Sequence, residues 1–282
     1  MQKAAYEQLA QVHLANLQQI GIPGSYELTM PEPGSTKAVG NLLAMGLDVV
    51  PILTEALDDT AVTKTVERTG NWPKYEIRVN QIVVRLIERI SSHRFTIGEE
   101  PKLLFIDEIS AKPELTPQFQ KAILDWYKVN RERSQVERKL ADVDDPHIQN
   151  RLEAVALAAS RKEVKAAPSM RKFITMVDGY GGEECKVACK CAFALGQIGD
   201  KESLPAVRKL CQQLPAYGDV DHKPLGAAVM EELFQACHGL ALLGEKTAAL
   251  KKLNRIYEVY RPEMGAALSG EFKKRLDEAE KW

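Results

Sequence analysis

PAVRKLC, residues 205 to 211, returns as PSMRKFI at 168 to 174 and AALKKLN at 248 to 254, and in looser form as PILTEAL at 51 to 57 and PQFQKAI at 117 to 123. Four of the five begin with proline. Proline costs no hydrogen bond at the first helical position and presets the backbone angle there, so each one marks an expected helix start. The third and sixth letters are apolar or small, and in four copies a large residue follows four places on. The sets are Met170, Phe173 and Val177; Val207, Leu210 and Leu214; Leu250, Leu253 and Tyr257; and Phe119, Ala122 and Trp126. Steps of three and four place each set on one helix face.

A second helical pattern precedes every phrase: TKAVGNLLAMG from 36, YEIRVNQIVVRLIERISS from 75, PHIQNRLEAVALAAS from 146, CKVACKCAFALGQIG from 185 and GAAVMEELFQACHGLALLG from 226. Three end in glycine, at Gly46, Gly199 and Gly244, where a left-handed helix cap is cheapest. Each unit therefore reads as helix, tight turn, helix. Successive phrases begin 66, 51, 37 and 43 residues apart, and the last two spacings are close to the roughly 40 to 47 of HEAT and armadillo units. The longer early gaps imply insertions, at 60–74 and 93–116. Helices near 3–20 and 262–281 are expected to cap the array, with a loop over 21–35.

ALGQIGDKESLPAVRKL, Ala194 to Leu210, resembles the HEAT-like repeat first associated with phycobilisome lyases: a small-residue helix, then ALG, a GD turn, and a second helix opening near proline. NLLAMGLDVVPILTEALDD, Asn41 to Asp59, is similar to a shortened version of it. The resemblance implies an all-α fold, a right-handed α-solenoid of about five HEAT-like helix pairs with terminal capping helices. Residues 1–34 would form the N-terminal cap and loop, 35–140 irregular repeats with insertions, 141–260 three regular repeats, and 261–282 the C-terminal cap. The family includes chromophore-attaching lyases and scaffolding proteins, so a fold follows from the resemblance and an activity does not. Another HEAT-like group, the deoxyhypusine hydroxylases, binds iron through His-Glu pairs. None of His13, His93, His147, His222 and His238 is followed by Glu.

Composition narrows the remaining classes. Of the 282 residues 45% are hydrophobic and 27% charged, and 38 Lys plus Arg nearly cancel 39 Asp plus Glu. This is a folding composition with no bulk charge to select a partner. The apolar runs fall short of the roughly 20 residues of a membrane span, and the polar-studded N-terminus reads as a helix rather than a secretory leader. Five cysteines, all on helical segments of the C-terminal third, do not make a disulfide framework. A reducing, cytoplasmic setting is the expectation.

Three motifs carry chemistry in other contexts. In CKVACKC, Cys185 and Cys189 lie roughly 40° apart on a helix and Cys191 points away from both, so the thiols read as packing residues and no metal is expected. LLFIDEIS, Leu103 to Ser110, has the look of an ATPase strand ending in paired acids. No phosphate loop precedes it, and GSTK at Gly34 lacks the spacing of one, so it reads as an apolar run in an inserted loop. RTGNWPKYEIR places Trp72 in the other insertion, where it reads as a plug between units. No Ser-His-Asp or Cys-His set is visible, and neither catalysis nor a cofactor is expected.

The fourth and fifth letters of the regular phrases remain: Arg171 and Lys172, Arg208 and Lys209, Lys251 and Lys252, with Arg255 one turn further on. They sit beside the apolar sets and so are expected in solvent, on the second helices that line the concave face of HEAT arrays. With helices about 8 to 10 Å apart they would form a basic stripe. The function expected is a non-catalytic scaffold or adaptor for a macromolecular partner, a protein with an acidic surface. The alternatives are a nucleic-acid-binding HEAT-like protein, for which the stripe has few charges and few interleaved aromatics, and a phycobilin lyase-like enzyme.

Overall fold

The structure is a computed structural model that describes residues 2–15, 37–67, 75–99, 102–176, 182–214, 227–262 and 264–282. The expected loop at 21–35, and with it Gly34, lies outside these residues, as do Trp72, Val177 and His222. Within them the chain is α-helical, with helices packed as sequence-adjacent pairs, apart from two small antiparallel hairpins. It divides into two compact units, Met1–Arg138 and Lys139–Trp282, and each has its own apolar core.

In the first unit, α1 (Gln2–Ala15) packs on α2 (Lys37–Ala44) and α3 (Val50–Glu55). Strands β1 (Val62–Glu67) and β2 (Tyr75–Arg78) pair antiparallel, Glu67 opposite Tyr75 and Val62 opposite Arg78, and lead into α4 (Val79–Ser91). The helix expected from Tyr75 therefore starts four residues late. Its first four residues are taken as a ladder partner by β1, a run rich in Val and Thr whose branched side chains suit a strand. The Gln81 side chain then caps α4 by accepting from the Arg78 backbone N–H at 2.8 Å.

The second insertion holds β3 (Thr96–Ile97) paired with β4 (Leu104–Phe105), followed by 3-10 turns that bury Ile106 and Ile109. LLFIDEIS is thus an apolar run in an insertion that packs through Ile106 and Ile109 and leaves Phe105 exposed. Asp107 pairs with Arg85 at 3.3 Å and Glu108 with Lys112 at 2.6 Å. α5 (Thr116–Asn130) carries Phe119 and Ile123 into the core and stacks Trp126 on His93. α6 (Gln135–Ala141) follows.

The second unit contains α7 (Ile148–Arg161), α8 (Ala167–Met176), α9 (Gly182–Ile198), α10 (Leu204–Gln213), α11 (Ala227–Leu240), α12 (Lys246–Tyr260) and α13 (Ala266–Ala279). The first helices of its pairs, α7, α9 and α11, lie side by side. Of the second helices, α8 packs on α9 and α10, α10 also on α11, and α12 on α11 and α13. Helix α9 is the most enclosed. Its small residues Ala188, Cys189, Cys191, Ala192, Ala194 and Gly196 are buried around most of its circumference, the pattern of a helix walled in by others.

At the α9–α11 crossing the backbones touch. A Cβ built on Gly239 would lie 2.2 Å from the carbonyl oxygen of Ala192, and one on Gly196 2.8 Å from that of Gly239. Only hydrogen fits between these helices.

The repeat signals are met in detail. Pro51, Pro117 and Pro205 stand in the first turn of α3, α5 and α10, and Pro168 is the second residue of α8. All five first helices end in a left-handed residue: Gly46 (φ 65°), Ser92 (54°), Lys162 (54°), Gly199 (79°) and Gly244 (108°). The phrases deliver their apolar letters inward. Met170, Val207, Leu210, Leu214, Leu253 and Phe119 are buried, while Phe173, Leu250 and Tyr257 are half-buried. Phe173 is covered by the guanidinium of buried Arg151, 4.0 Å from its ring centre.

Candidate functional site

The seven basic residues singled out by the repeat occupy three environments in the second unit. The fourth-letter arginines reach forward to the next helix pair. Arg171 on α8 donates from Nη1 to both carboxylate oxygens of Asp200, at 3.0 and 2.8 Å, and lies 2.9 Å from Glu202. Arg208 on α10 makes a two-pronged pair with Glu245, its Nε donating to Oε2 at 3.1 Å and its Nη2 to Oε1. Asp200 follows Gly199 and Glu245 follows Gly244, so the acid occupies the same place in both turns. The Arg208 pair holds the Glu245 carboxyl below the ordinary carboxylate range, and the same bond raises Arg208.

Lys252 has a different task. Its amine donates at 2.7 Å to the carbonyl of Leu214, the C-cap residue of α10, and so ties α12 to α10. Burial lowers its pKa, and the positive charge of Arg255 adds to the effect. The third environment is open solvent. Lys172, Lys209, Lys251 and Arg255 are exposed, and among the described residues no carboxylate pairs with any of them.

The repeat position alone therefore does not fix a side chain's role. Lys251 holds the same letter as Arg171 and Arg208 but lies in the last pair. The signal that would have found Asp200 and Glu245 is their shared place after the helix-ending glycine.

Arg208, Lys252 and Arg255 come together around a cleft of about 410 Å³ between α10 and α12. Its apolar side is formed by Cys211, Leu240, Ile256 and Val259, and among the described residues Glu245 is its one acidic lining residue. Lys172, Lys209 and Lys251 do not line it.

The cysteines are all buried and none is in a disulfide. The sulfurs of Cys185 and Cys189 are 4.0 Å apart on one side of α9, as their spacing required. The hydrogen bond with Cys185, together with burial, pushes the Cys189 thiol up. Cys191 faces away toward Arg151, and burial raises it to about 12. These are packing thiols by environment, far from the electropositive, accessible setting that makes a cysteine reactive. Sequence reasoning missed Glu232 on α11, which is buried beside them. One of its oxygens accepts a hydrogen bond from Cys185, and Oε2 has no partner among the described residues. Among the described residues no single helix is long and apolar enough to cross a membrane.

Residues 187–213 match the PBS lyase HEAT-like repeat. The match runs from the first turns of α9 to the end of α10, the helix pair whose glycine turn and proline start are described above. No curated protein and no solved structure matches the chain.

Proposed function

We propose that this chain is a non-catalytic scaffold that docks an acidic protein surface along the second helices α8, α10 and α12. In this reading the three pairs of the second unit are turns of a right-handed α-solenoid, and these helices line its inner wall. The observation that carries the proposal is the set of exposed cations Lys172, Lys209, Lys251 and Arg255, with which no carboxylate pairs among the described residues. Lys172, Lys209 and Lys251 recur at adjacent letters of successive repeats, with Arg255 one turn beyond Lys251, on helices held in register by the Arg171–Asp200 and Arg208–Glu245 bridges. At physiological salt the Debye length is about 8 Å, so charges on neighbouring helices act on a partner together.

Arg171 and Arg208 are left out of the test, because reversing them would set carboxylate against carboxylate at Asp200 and Glu245. The variant to make is Lys172→Glu with Lys209→Glu and Lys251→Glu. Tagged wild-type and variant chains are used for affinity capture from the native host, and the captured partner is then titrated against both. The variant is expected to fold normally and lose the partner, whose affinity for wild type weakens with salt. Equal affinity for both chains would rule the docking surface out. Tight binding of arbitrary duplex DNA, with the steep linear salt dependence of counterion release, would replace the protein partner with a nucleic acid.

A further inference from the structure

The first unit holds an open cleft of about 540 Å³ where the ends of α2 and α4 meet the start of α6. Leu43, Ala44 and Ile90 form its apolar side, and Arg89 and Arg138 are its cations. Among the described residues no Asp or Glu lines it.

The two arginines differ in how they are held. Arg89 follows Arg85 by one turn of α4. Arg85 lies 3.3 Å from Glu88 and 3.3 Å from Asp107, whereas among the described residues no carboxylate pairs with the exposed Arg89. Arg138 is half-buried, and its Nη1 donates to the Arg133 carbonyl at 2.8 Å. That bond fixes the guanidinium and leaves its charge in place, while its Nε has no acceptor among the described residues. Burial with no counter-charge lowers its pKa. The Gln135 amide donates to the Ser92 hydroxyl at 3.2 Å, which ties α6 to the end of α4 and sets Arg138, one turn along α6, beside the cleft.

The balance of charge decides what such a cleft attracts. The C-terminal ends of α2 and α4 both border it, each with a partial charge of about −0.5. Two full guanidinium charges outweigh them, so the field in the cleft is positive. The planar fork of a guanidinium matches the oxygens of a phosphoryl group, and two forks suit a dianion better than a monoanion. The volume falls within the range of roughly 300 to 1,000 Å³ for small-molecule sites, so a phosphoryl group leaves room for a small organic body. A nucleic-acid strand needs a track of cations, which two arginines do not make.

We propose that this cleft binds a small phosphomonoester. Its dianionic phosphoryl group lies between Arg89 and Arg138, and its organic body rests on Leu43, Ala44 and Ile90. The site lies within the first unit and shares no residue with the docking surface of the second.

The test is isothermal titration calorimetry of the full chain, in phosphate-free buffer, with phenyl phosphate and with phenyl sulfate, a monoanion of similar shape. Phenyl phosphate is expected to fill one site per chain and to bind about tenfold or more tightly than the sulfate. Its affinity should rise from about pH 5 to about pH 7.5, because the second phosphoryl proton leaves near about pH 6. Arg89→Glu, at an exposed position, should weaken phenyl phosphate by about tenfold or more while the thermal midpoint and circular dichroism stay as in wild type. Lys274→Glu makes the same change of charge at an exposed residue outside the cleft, and should bind as wild type does.

No saturable binding, equal affinity for the two compounds, or equal weakening by Arg89→Glu and Lys274→Glu would each overturn the proposal. A capped phosphoserine tripeptide that binds more tightly than phenyl phosphate would overturn the assignment to a small molecule and move the phosphoryl group onto a protein partner. The titration needs no captured partner, so its failure and that of the docking surface are distinguishable.

Discussion

Arg171 lies 2.8 Å from Asp200, a residue of the turn between the two helices of the following pair, and Arg208 stands in the same relation to Glu245. The first pair is the better sheltered, with side chains 27% and 10% exposed, so it should contribute more than a surface ion pair. A double-mutant cycle over Arg171→Ala and Asp200→Ala, read by urea unfolding, is expected to give a coupling of about 1 kcal/mol, the upper end for exposed pairs. A coupling of zero would mean that the bridge follows the helix spacing rather than holding it.

Gly239 and Gly270 make opposite predictions from the same substitution. Gly239→Ala drives a methyl into the Ala192 carbonyl, a rigid group that cannot step aside. It should cost about 3 kcal/mol or more, the upper range for overpacking. Gly270 is an exposed residue of α13 with nothing near its Cβ, and Gly270→Ala should stabilise by about 0.5 to 1 kcal/mol through helix propensity. Thermal and urea midpoints of the two variants check both signs at once.

Glu232 provides a pH dependence with a definite sign. Burial raises its pKa above the ordinary 4.5 in the folded chain, so the folded state holds the proton more tightly than the unfolded state. A raised acid contributes stability that is fully present below the unfolded pKa and is lost as pH rises through the folded value. Wild type should therefore lose stability over that window, and Glu232→Gln, neutral throughout, should lack that loss. The stability of the variant relative to wild type should climb from pH 4 to pH 8, as measured by urea unfolding at each pH. A difference independent of pH would show that Glu232 does not titrate in this window.

How far the fold could be read from letters depended on whether each constraint is local. Pro51, Pro117, Pro168 and Pro205 announce their helices because the ring acts on its own backbone. Gly46, Gly199 and Gly244 announce the turns for the same reason. Ser92 and Lys162 take up the same left-handed conformation with no such signal; the fold imposes a cost of about 1 kcal/mol on them. Tyr75–Arg78 continues the helical pattern of α4 and becomes a strand only because Val62–Glu67 pairs with it from within the preceding insertion.

The same divide runs through the candidate site. The basic letters were visible as a repeat, but whether each one was open or engaged depended on residues 29 and 37 positions away. The α10–α12 cleft required the packing itself.

The contact of Gly239 with Ala192 also has a mechanical side. Where two helices meet through long side chains, rotamers can shift and the joint yields; where main chain rests on main chain there is nothing to rotate. The α9–α11 crossing is therefore the stiff link of the second unit. Any bending needed to fit a partner must be taken up at the neighbouring joints, among them the one between α10 and α12, where a lysine and an ion pair span an open gap.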